Sequence, residues 1–119
     1  MSKKKIFIIE DDETVQGMLK MIFEKAGYEI EISNDGQSVF QRQDQWPDLF
    51  VLDKQLLGYD GLEICRYLKS QSPTSNIPVI MVSATPGIEP LALQAGADDF
   101  MEKPFNTSHL MTKIAKYLK

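Results

Sequence analysis

The chain has 119 residues, 43% of them hydrophobic and 25% charged, which predicts one globular domain over residues 1–119 and excludes a disordered or fibrous chain. Seventeen Asp and Glu against thirteen Lys and Arg give a formal net charge of −4, which disfavours direct binding to nucleic acid, and one cysteine and one histidine are too few for a disulfide or a four-ligand zinc site. The hydrophobic runs fall well short of a signal sequence or of the roughly 20 residues of a membrane span, so we expect a cytoplasmic protein without membrane contact.

Short hydrophobic runs alternate with segments of helical period in the first half of the chain. The pattern predicts a strand over Lys5–Glu10, a helix over Glu13–Ala26, a strand over Tyr28–Ser33 and a helix over Gly36–Gln45. The first strand is continuously hydrophobic, which is typical of a strand covered on both faces, whereas the second alternates and suits an edge. Asp12 is a favourable N-cap for the first helix, which carries Val15, Leu19 and Ile22 on one stripe.

The second half of the chain continues the same alternation. It predicts strands over Leu49–Asp53, Pro78–Ser83 and Phe100–Lys103, and helices over Gly61–Ser70, Pro90–Gln94 and from Thr107 to the end. The fourth helix is short because Pro90 is tolerated in the first turn of a helix but not in its interior. Five alternating strands and helices predict an α/β fold, (βα)5, with a parallel sheet.

Polar side chains stand at the ends of four predicted strands: Glu10-Asp-Asp12, Asp53, Ser83 and Lys103. Each has an ordinary explanation when taken singly, as a helix cap, a turn residue, a strand end or a surface lysine. The carboxyl ends of parallel strands, however, lie at the same edge of a sheet, where α/β proteins bind their ligands. Together these residues therefore predict one polar site.

The charge of this site indicates a bound cation. Glu10, Asp11 and Asp53 bring three negative charges, and Lys103 returns one. Crowded carboxylates take up protons unless a cation is present, and oxygen ligands favour Mg²⁺. A site neutralised by Mg²⁺ accepts a phosphoryl group, with the metal, Lys103 and the Ser83 hydroxyl as partners. Asp53 suits the nucleophile because it projects alone from the central strand.

These residues resemble the receiver domain of two-component response regulators over essentially the whole chain. The matching segments keep the order and spacing of that family: Ile8–Glu13, Pro47–Asp53, Asp60–Glu63, Pro78–Ala84, Ala95–Phe100 and Lys103–Phe105. The resemblance implies a flavodoxin-like, doubly wound sheet of five parallel strands in the order 2-1-3-4-5. It also implies a signalling domain rather than an enzyme in the usual sense, one that gains a phosphoryl group and loses it again by hydrolysis.

The resemblance also implies a metal site and a reaction. Asp11, Asp53 and the main-chain carbonyl of Gln55 would bind Mg²⁺ directly, and Glu10 would act through a water molecule. Asp53 would accept a phosphoryl group from the phosphohistidine of a sensor histidine kinase or phosphotransfer protein. Lys103 would stabilise the charge of the transferring group, and the Lys103–Pro104 peptide bond would be cis.

A conformational switch follows from the same resemblance. Ser83 would move toward the phosphoryl group, and Phe100 would turn into the space vacated. The face formed by the fourth helix, fifth strand and fifth helix would then change and be read by a downstream output protein or domain. Gln55 and Thr85 would tune the lifetime of the phosphoryl group. Phosphorylation-dependent pairing of two copies through the shortened fourth helix stays open.

Three features depart from the pattern of the family. Leu57 stands where proline is common, Ser83 replaces the commoner threonine, and the fourth helix is short. None of these changes removes a group that the chemistry needs.

Three other functions compete with that of a receiver domain. A phosphatase of the haloacid-dehalogenase type needs a second acid where the chain has Gln55. A flavodoxin-like nucleotide or flavin binder needs an anion-binding loop where the chain has Glu10–Glu13, which would repel phosphate. The remaining alternative is a non-phosphorylated pseudo-receiver acting as an interaction module; such a domain normally lacks one of the site residues, and none is missing here.

Overall fold

The computed structural model describes residues 3–56 and 58–118. In chain order its elements are β1 (Lys5–Ile9), α1 (Glu13–Lys25), β2 (Glu29–Ser33), α2 (Gln37–Gln41), β3 (Leu49–Asp53), β4 (Gln55–Leu56), β5 (Tyr59–Asp60), α3 (Gly61–Ser70), β6 (Val79–Ser83), α4 (Glu89–Gln94), β7 (Asp99–Glu102) and α5 (Thr107–Tyr117). Two features predicted above, Leu57 and the last residue of the fifth helix, Lys119, lie outside the described residues. No helix among the described residues is long and apolar enough to cross a membrane.

A five-stranded sheet in the order β2-β1-β3-β6-β7 forms the centre of the domain, and every neighbouring pair in it is parallel. Counted among the strands of this sheet alone, the order is 2-1-3-4-5, so the predicted flavodoxin-like fold is confirmed. The strands β4 and β5 form a separate antiparallel pair that the sequence analysis did not predict. Each has only two residues, too few to produce a periodic signal.

The sheet carries a hydrophobic core on each of its two faces, because successive side chains of a strand point to opposite sides. On β1, Phe7 and Ile9 pack against the face covered by α2, α3 and α4. Ile6 and Ile8 pack against the face covered by α1 and α5. The central strands β1, β3 and β6 are buried on both faces, which is why their sequences are continuously hydrophobic.

Most predicted boundaries agree with the structure to within one residue, and α2 is the main exception. The predicted helix over Gly36–Gln45 ends already at Gln41, because Arg42 adopts an extended backbone and Gln45 a left-handed one with φ of 60°. The fourth helix is short as predicted, with Pro90 in its first turn. The last strand is shifted to Asp99–Glu102 by its pairing with β6, which sets Asp99 opposite Ile80.

Candidate functional site

Three carboxylates meet at the carboxyl edge of the sheet. Glu10 and Asp11 follow β1, and Asp53 is the last residue of the neighbouring strand β3. One oxygen from each of these carboxylates lies within 4.8 Å of the other two. Glu10 is 1% exposed and Asp53 6% exposed, so two of the three charges are almost withdrawn from water. The structure thus brings together the acids that the sequence placed at separate strand ends.

Lys103 joins this cluster from the loop after β7. Its Nζ donates to Glu10 Oε1 at 2.7 Å and to Asp53 Oδ2 at 3.2 Å. Burial by itself would lower the pKa of Lys103, but the hydrogen bond to Glu10 and the charge of Asp53 outweigh it, and the pKa is raised. Lys103 therefore stays a cation across the neutral range. Its peptide bond to Pro104 is cis, as the resemblance implied.

The pKa of Glu10 moves in the direction expected of a crowded, buried carboxylate. Burial first, and then the neighbouring Asp53 carboxyl, raise this pKa from 4.5 to about 7, although Lys103 and the main-chain N–H of Asp12 lower it. One ammonium group therefore compensates the three carboxylates incompletely. This shortage of positive charge is the main electrostatic feature of the site.

The backbone around Asp53 is held by close contacts with the start of α3. The N–H of Gly61 donates to the carbonyl of Lys54 at 2.6 Å, and the N–H of Gln55 donates to Asp53 Oδ1 at 3.2 Å. A Cβ atom at Gly61 would lie 2.2 Å from the carbonyl oxygen of Asp53, far inside contact distance. Only glycine therefore lets α3 begin directly above this peptide. The sequence pattern predicts Gly61 only as the start of a helix and carries no sign of this contact.

The segment after β1 is shaped by the start of α1. Asp12 accepts hydrogen bonds from the N–H groups of Thr14 and Val15, which confirms it as the N-cap. The N–H of Asp12 in turn donates to Glu10 Oε2 at 3.1 Å. Asp12 is thereby committed to the helix, which leaves Glu10 and Asp11 as the acids that face Asp53.

Ser83 and Phe100, the two residues with an expected switching role, lie in different surroundings. Ser83 ends β6 and is 1% exposed, and its Oγ accepts a hydrogen bond from the N–H of Thr85 at 3.0 Å. Phe100 is half-buried and packs against the core on the α3 and α4 side of the sheet. Ser83 is thus engaged with its own loop, and Phe100 with the core.

The donor set at this edge fits Mg²⁺. Its groups are carboxylate oxygens, which are the ligands that Mg²⁺ prefers, and an added divalent cation would balance the excess negative charge. Asp11 is less buried than the other two acids, so the cluster is open to water on one side, as a metal that keeps part of its hydration shell requires. Asp11 and Asp53 would hold the ion, and the neutralised site could then receive a phosphoryl group.

The chain is similar to curated regulators and to solved receiver domains. It is 35% identical over 119 residues to the phosphate regulon transcriptional regulatory protein PhoB of Rhizobium meliloti, a match that covers 97% of this chain and 52% of that protein. The chain therefore spans about half the length of the curated relatives it matches.

Two solved structures extend this likeness to the fold. The receiver domain of a sensor histidine kinase of Pseudomonas aeruginosa, with a magnesium ion coordinated in its active site cleft, matches with a TM-score of 0.88 and 26% identity over 98% of both chains. The receiver domain of a histidine kinase of Syntrophus aciditrophicus matches with a TM-score of 0.88 and 34% identity over 97% of this chain and 89% of that one.

The model of the response regulator receiver domain family matches residues 6–115, which include the acidic cluster, Ser83 and Lys103. Sequence, strand order and the match with this family agree. The chain belongs to the response regulator receiver domain family of two-component signalling.

Proposed function

We propose that this receiver domain accepts a phosphoryl group on Asp53 from the phosphohistidine of a sensor histidine kinase or phosphotransfer protein, in a Mg²⁺-dependent reaction in the cytoplasm. The observation that carries the proposal is the nearly buried Asp53 carboxylate, which contacts the Lys103 ammonium and has an oxygen within 4.8 Å of oxygens of Glu10 and Asp11. A carboxylate in this position is both a nucleophile and part of a metal site.

The reaction exchanges one bond to phosphorus for another. An oxygen of Asp53 forms a bond to phosphorus while the bond from phosphorus to the imidazole nitrogen breaks, and the electron pair stays with that nitrogen. Asp53 Oδ1 is held by the N–H of Gln55 and Oδ2 by Lys103, so the carboxylate is oriented before the donor arrives. Asp11, Asp53 and the main-chain carbonyl of Gln55 would bind Mg²⁺, with Glu10 acting through water, and the ion would supply positive charge to the phosphoryl oxygens.

Lys103 has a second part in this reaction. Its Nζ contacts Asp53 at 3.2 Å in the unphosphorylated domain, so it lies within reach of a phosphoryl oxygen attached to the same carboxylate. Its raised pKa keeps the ammonium charged, as stabilisation of a transferring phosphoryl group requires. Glu10, which Lys103 also contacts, keeps the ammonium at the site when Asp53 is modified.

The phosphoryl group is proposed to act on the rest of the domain through Ser83. The Ser83 hydroxyl would leave the N–H of Thr85 and bind a phosphoryl oxygen, and Phe100 would turn into the space vacated. The surface of α4, β7 and α5 would change with it and be read by a downstream output protein or by a second copy of the chain. Gln55 and Thr85, each two residues beyond a group that binds the phosphoryl, would set its lifetime.

The relatives named as transcriptional regulators are about twice as long as this chain. We expect the residues of this domain, with their net charge of −4, to act through protein partners rather than through direct contact with nucleic acid.

The test is incubation with acetyl phosphate, with and without Mg²⁺, followed by intact mass measurement. The wild-type protein is expected to gain one phosphoryl group only with Mg²⁺, and Asp53→Asn is expected to gain none. Asp48→Asn is the matched control, because Asp48 is an exposed aspartate just before the same strand, and it should be modified like the wild type.

The competing function is the pseudo-receiver, an interaction module that is never phosphorylated. No observation among the described residues favours it. A wild-type protein that folds, gains no phosphoryl group and forms no beryllofluoride complex would establish it in place of the proposal. A beryllofluoride complex without a trapped phosphoryl group would instead indicate rapid hydrolysis at a working site.

A further inference from the structure

Gln16 connects three parts of the chain beside the acidic cluster. It lies in α1, and its side-chain Nε2 donates to the main-chain carbonyl of Glu10 and, at 2.8 Å, to Oδ1 of Asn34 in the loop after β2. A side-chain amide nitrogen carries two hydrogens, so these two acceptors use its whole donor capacity. The local sequence carries no signal for this contact, because Gln16 is a polar residue in an amphipathic helix.

We propose that Gln16 is a positioning residue that holds the Glu10–Asp11 peptide in the orientation the metal site needs. This inference rests on the proposed function, since it assigns the residue a part in the same site. The two hydrogen bonds of the Gln16 side chain go to the Glu10 carbonyl and to Asn34, not to any of the three carboxylates, so Gln16 acts through the backbone that carries two of them.

The backbone of Glu10 is fixed on two sides. Its N–H donates to the carbonyl of Ser33 in β2 at 3.0 Å, which continues the pairing of the two strands. Its carbonyl, which lies beyond the last residue of β1, is bound by Gln16. A peptide group is planar, so the direction of the Glu10 carbonyl also sets the direction in which the chain enters Asp11.

Loss of the amide would therefore affect Asp11 most directly. Without a partner, the Glu10 carbonyl can turn toward water, and the Asp11 carboxylate turns with the same peptide. The three carboxylates now converge within 4.8 Å, and rotation of one of them would widen that spacing. Residues that orient metal ligands without binding the metal commonly change metal affinity by about 10- to 100-fold. We expect about a tenfold effect here, because Glu10 keeps its bond to Ser33.

Two substitutions separate orientation from charge. Gln16→Met removes both donors without changing charge and keeps a residue that favours helix. Gln16→Glu also removes both donors but adds a negative charge beside the site. Charge alone would strengthen Mg²⁺ binding in Gln16→Glu, whereas the loss of orientation weakens it. The sign of the change in Gln16→Glu therefore distinguishes the two effects.

The experiment is a Mg²⁺ titration of the whole chain in which calorimetry measures the affinity and NMR measures the amide chemical shifts. We expect Gln16→Met to bind Mg²⁺ about tenfold more weakly than the wild type, and Gln16→Glu to bind it more weakly by a smaller factor, because its added charge offsets part of the loss. In the metal-free variants, the amide shifts of Asp11 and Asp12 should move, while those of the opposite sheet edge stay unchanged. Gln41→Met, at an exposed position at the end of α2, is the matched control and should bind like the wild type.

Three further outcomes separate the positioning role of Gln16 from the proposed function of the domain. Asn34→Ala removes one acceptor of the Gln16 amide in an exposed loop and should weaken Mg²⁺ binding by less than about tenfold relative to the wild type, so this comparison tests the inference even where a Gln16 variant fails to fold. Wild-type binding that is retained within twofold in both Gln16 variants would overturn the positioning role and leave the proposed function standing. A folded wild type that binds no Mg²⁺ would overturn both.

Discussion

The two edges of the sheet handle charge in opposite ways. At the amino edge, acids and bases pair: Lys5 lies 3.7 Å from Glu29, Lys69 lies 2.7 Å from Asp98, and Lys113 lies 2.9 Å from Asp99. At the carboxyl edge, three carboxylates crowd together around Lys103. Paired charges stabilise a fold modestly, whereas uncompensated ones cost free energy until a partner arrives. The comparison teaches that the carboxyl edge, where negative charge is in excess, is the edge suited to bind a cation.

The same contrast appears in how the lysines are used. Lys69 is satisfied within the fold by two main-chain carbonyls and one carboxylate. Lys103 contacts two carboxylates that are themselves in excess, so its contacts can be exchanged for those of a ligand. A stabilising lysine and a functional lysine are thus distinguished by the balance of charge around them rather than by burial.

The largest effect is expected from breaking the balance at the amino edge. Lys69→Met should lower the free energy of unfolding by about 2 kcal/mol, because it removes the charged hydrogen-bond donor shared by two main-chain carbonyls and the Asp98 carboxylate. The side chain of Lys69 is 17% exposed and that of Asp98 37%, so the ion pair contributes little by itself and most of the effect comes from the two carbonyls. Urea unfolding of both proteins measures the difference.

Lys20→Met is the control for this measurement, since Lys20 is exposed on α1 and should change the free energy of unfolding by less than about 0.5 kcal/mol. If Lys69→Met were equally mild, the amino edge would not owe its stability to this pairing.

A smaller effect of opposite sign is expected from relieving the imbalance at the carboxyl edge. Asp53→Asn removes one of three crowded carboxylates and leaves Lys103 paired with Glu10, so the metal-free protein should become more stable by about 1 kcal/mol. Saturating Mg²⁺ should cancel or reverse this gain, because only the wild type keeps the full set of ligands. Thermal unfolding of the wild type and of Asp53→Asn, first in a chelator and then in saturating Mg²⁺, measures the stability difference under each condition. A variant less stable than the wild type in chelator would show that this edge is not under charge strain.

The smallest effect concerns the acid sensitivity of the amino edge. Burial by itself would raise the pKa of Asp99, but the hydrogen bonds from Lys113 and from the N–H of Phe100 outweigh it, and the pKa is lowered. A carboxyl with a lowered pKa in the folded state stabilises the fold above its ordinary pKa, near 3.9, and this contribution is lost as the pH falls through the lowered value.

Urea midpoints measured from pH 5 downward should therefore fall less steeply for Asp99→Asn than for the wild type. The difference should stay within about 1 kcal/mol, as for a single partly exposed ion pair. If the urea midpoints of the two proteins fell equally steeply with pH, protonation of Asp99 would not contribute to the acid sensitivity of the fold.

Much of the fold could be read from local patterns. Short hydrophobic runs predicted the three central strands, Asp12 predicted a helix start that the structure confirms, and Pro90 predicted the short fourth helix. Each of these signals depends on neighbours within one or two turns of chain. The errors also reflect the limits of local patterns. The predicted α2 is too long because no local residue pattern indicates the extended backbone at Arg42. The pair β4–β5 is absent from the prediction because strands of two residues are too short to show a periodic pattern.

The site divides in the same way between sequence and structure. The sequence by itself determined which groups end each strand, because that follows from the hydrophobic runs, and it therefore named Glu10, Asp11, Asp53 and Lys103. Only the tertiary structure decided that Lys103 reaches Glu10 across 93 residues of chain, that α3 begins on the peptide after Asp53, and that Gln16 holds the carbonyl of Glu10. Such contacts depend on how distant segments pack against one another, and no local pattern of residues encodes those distances.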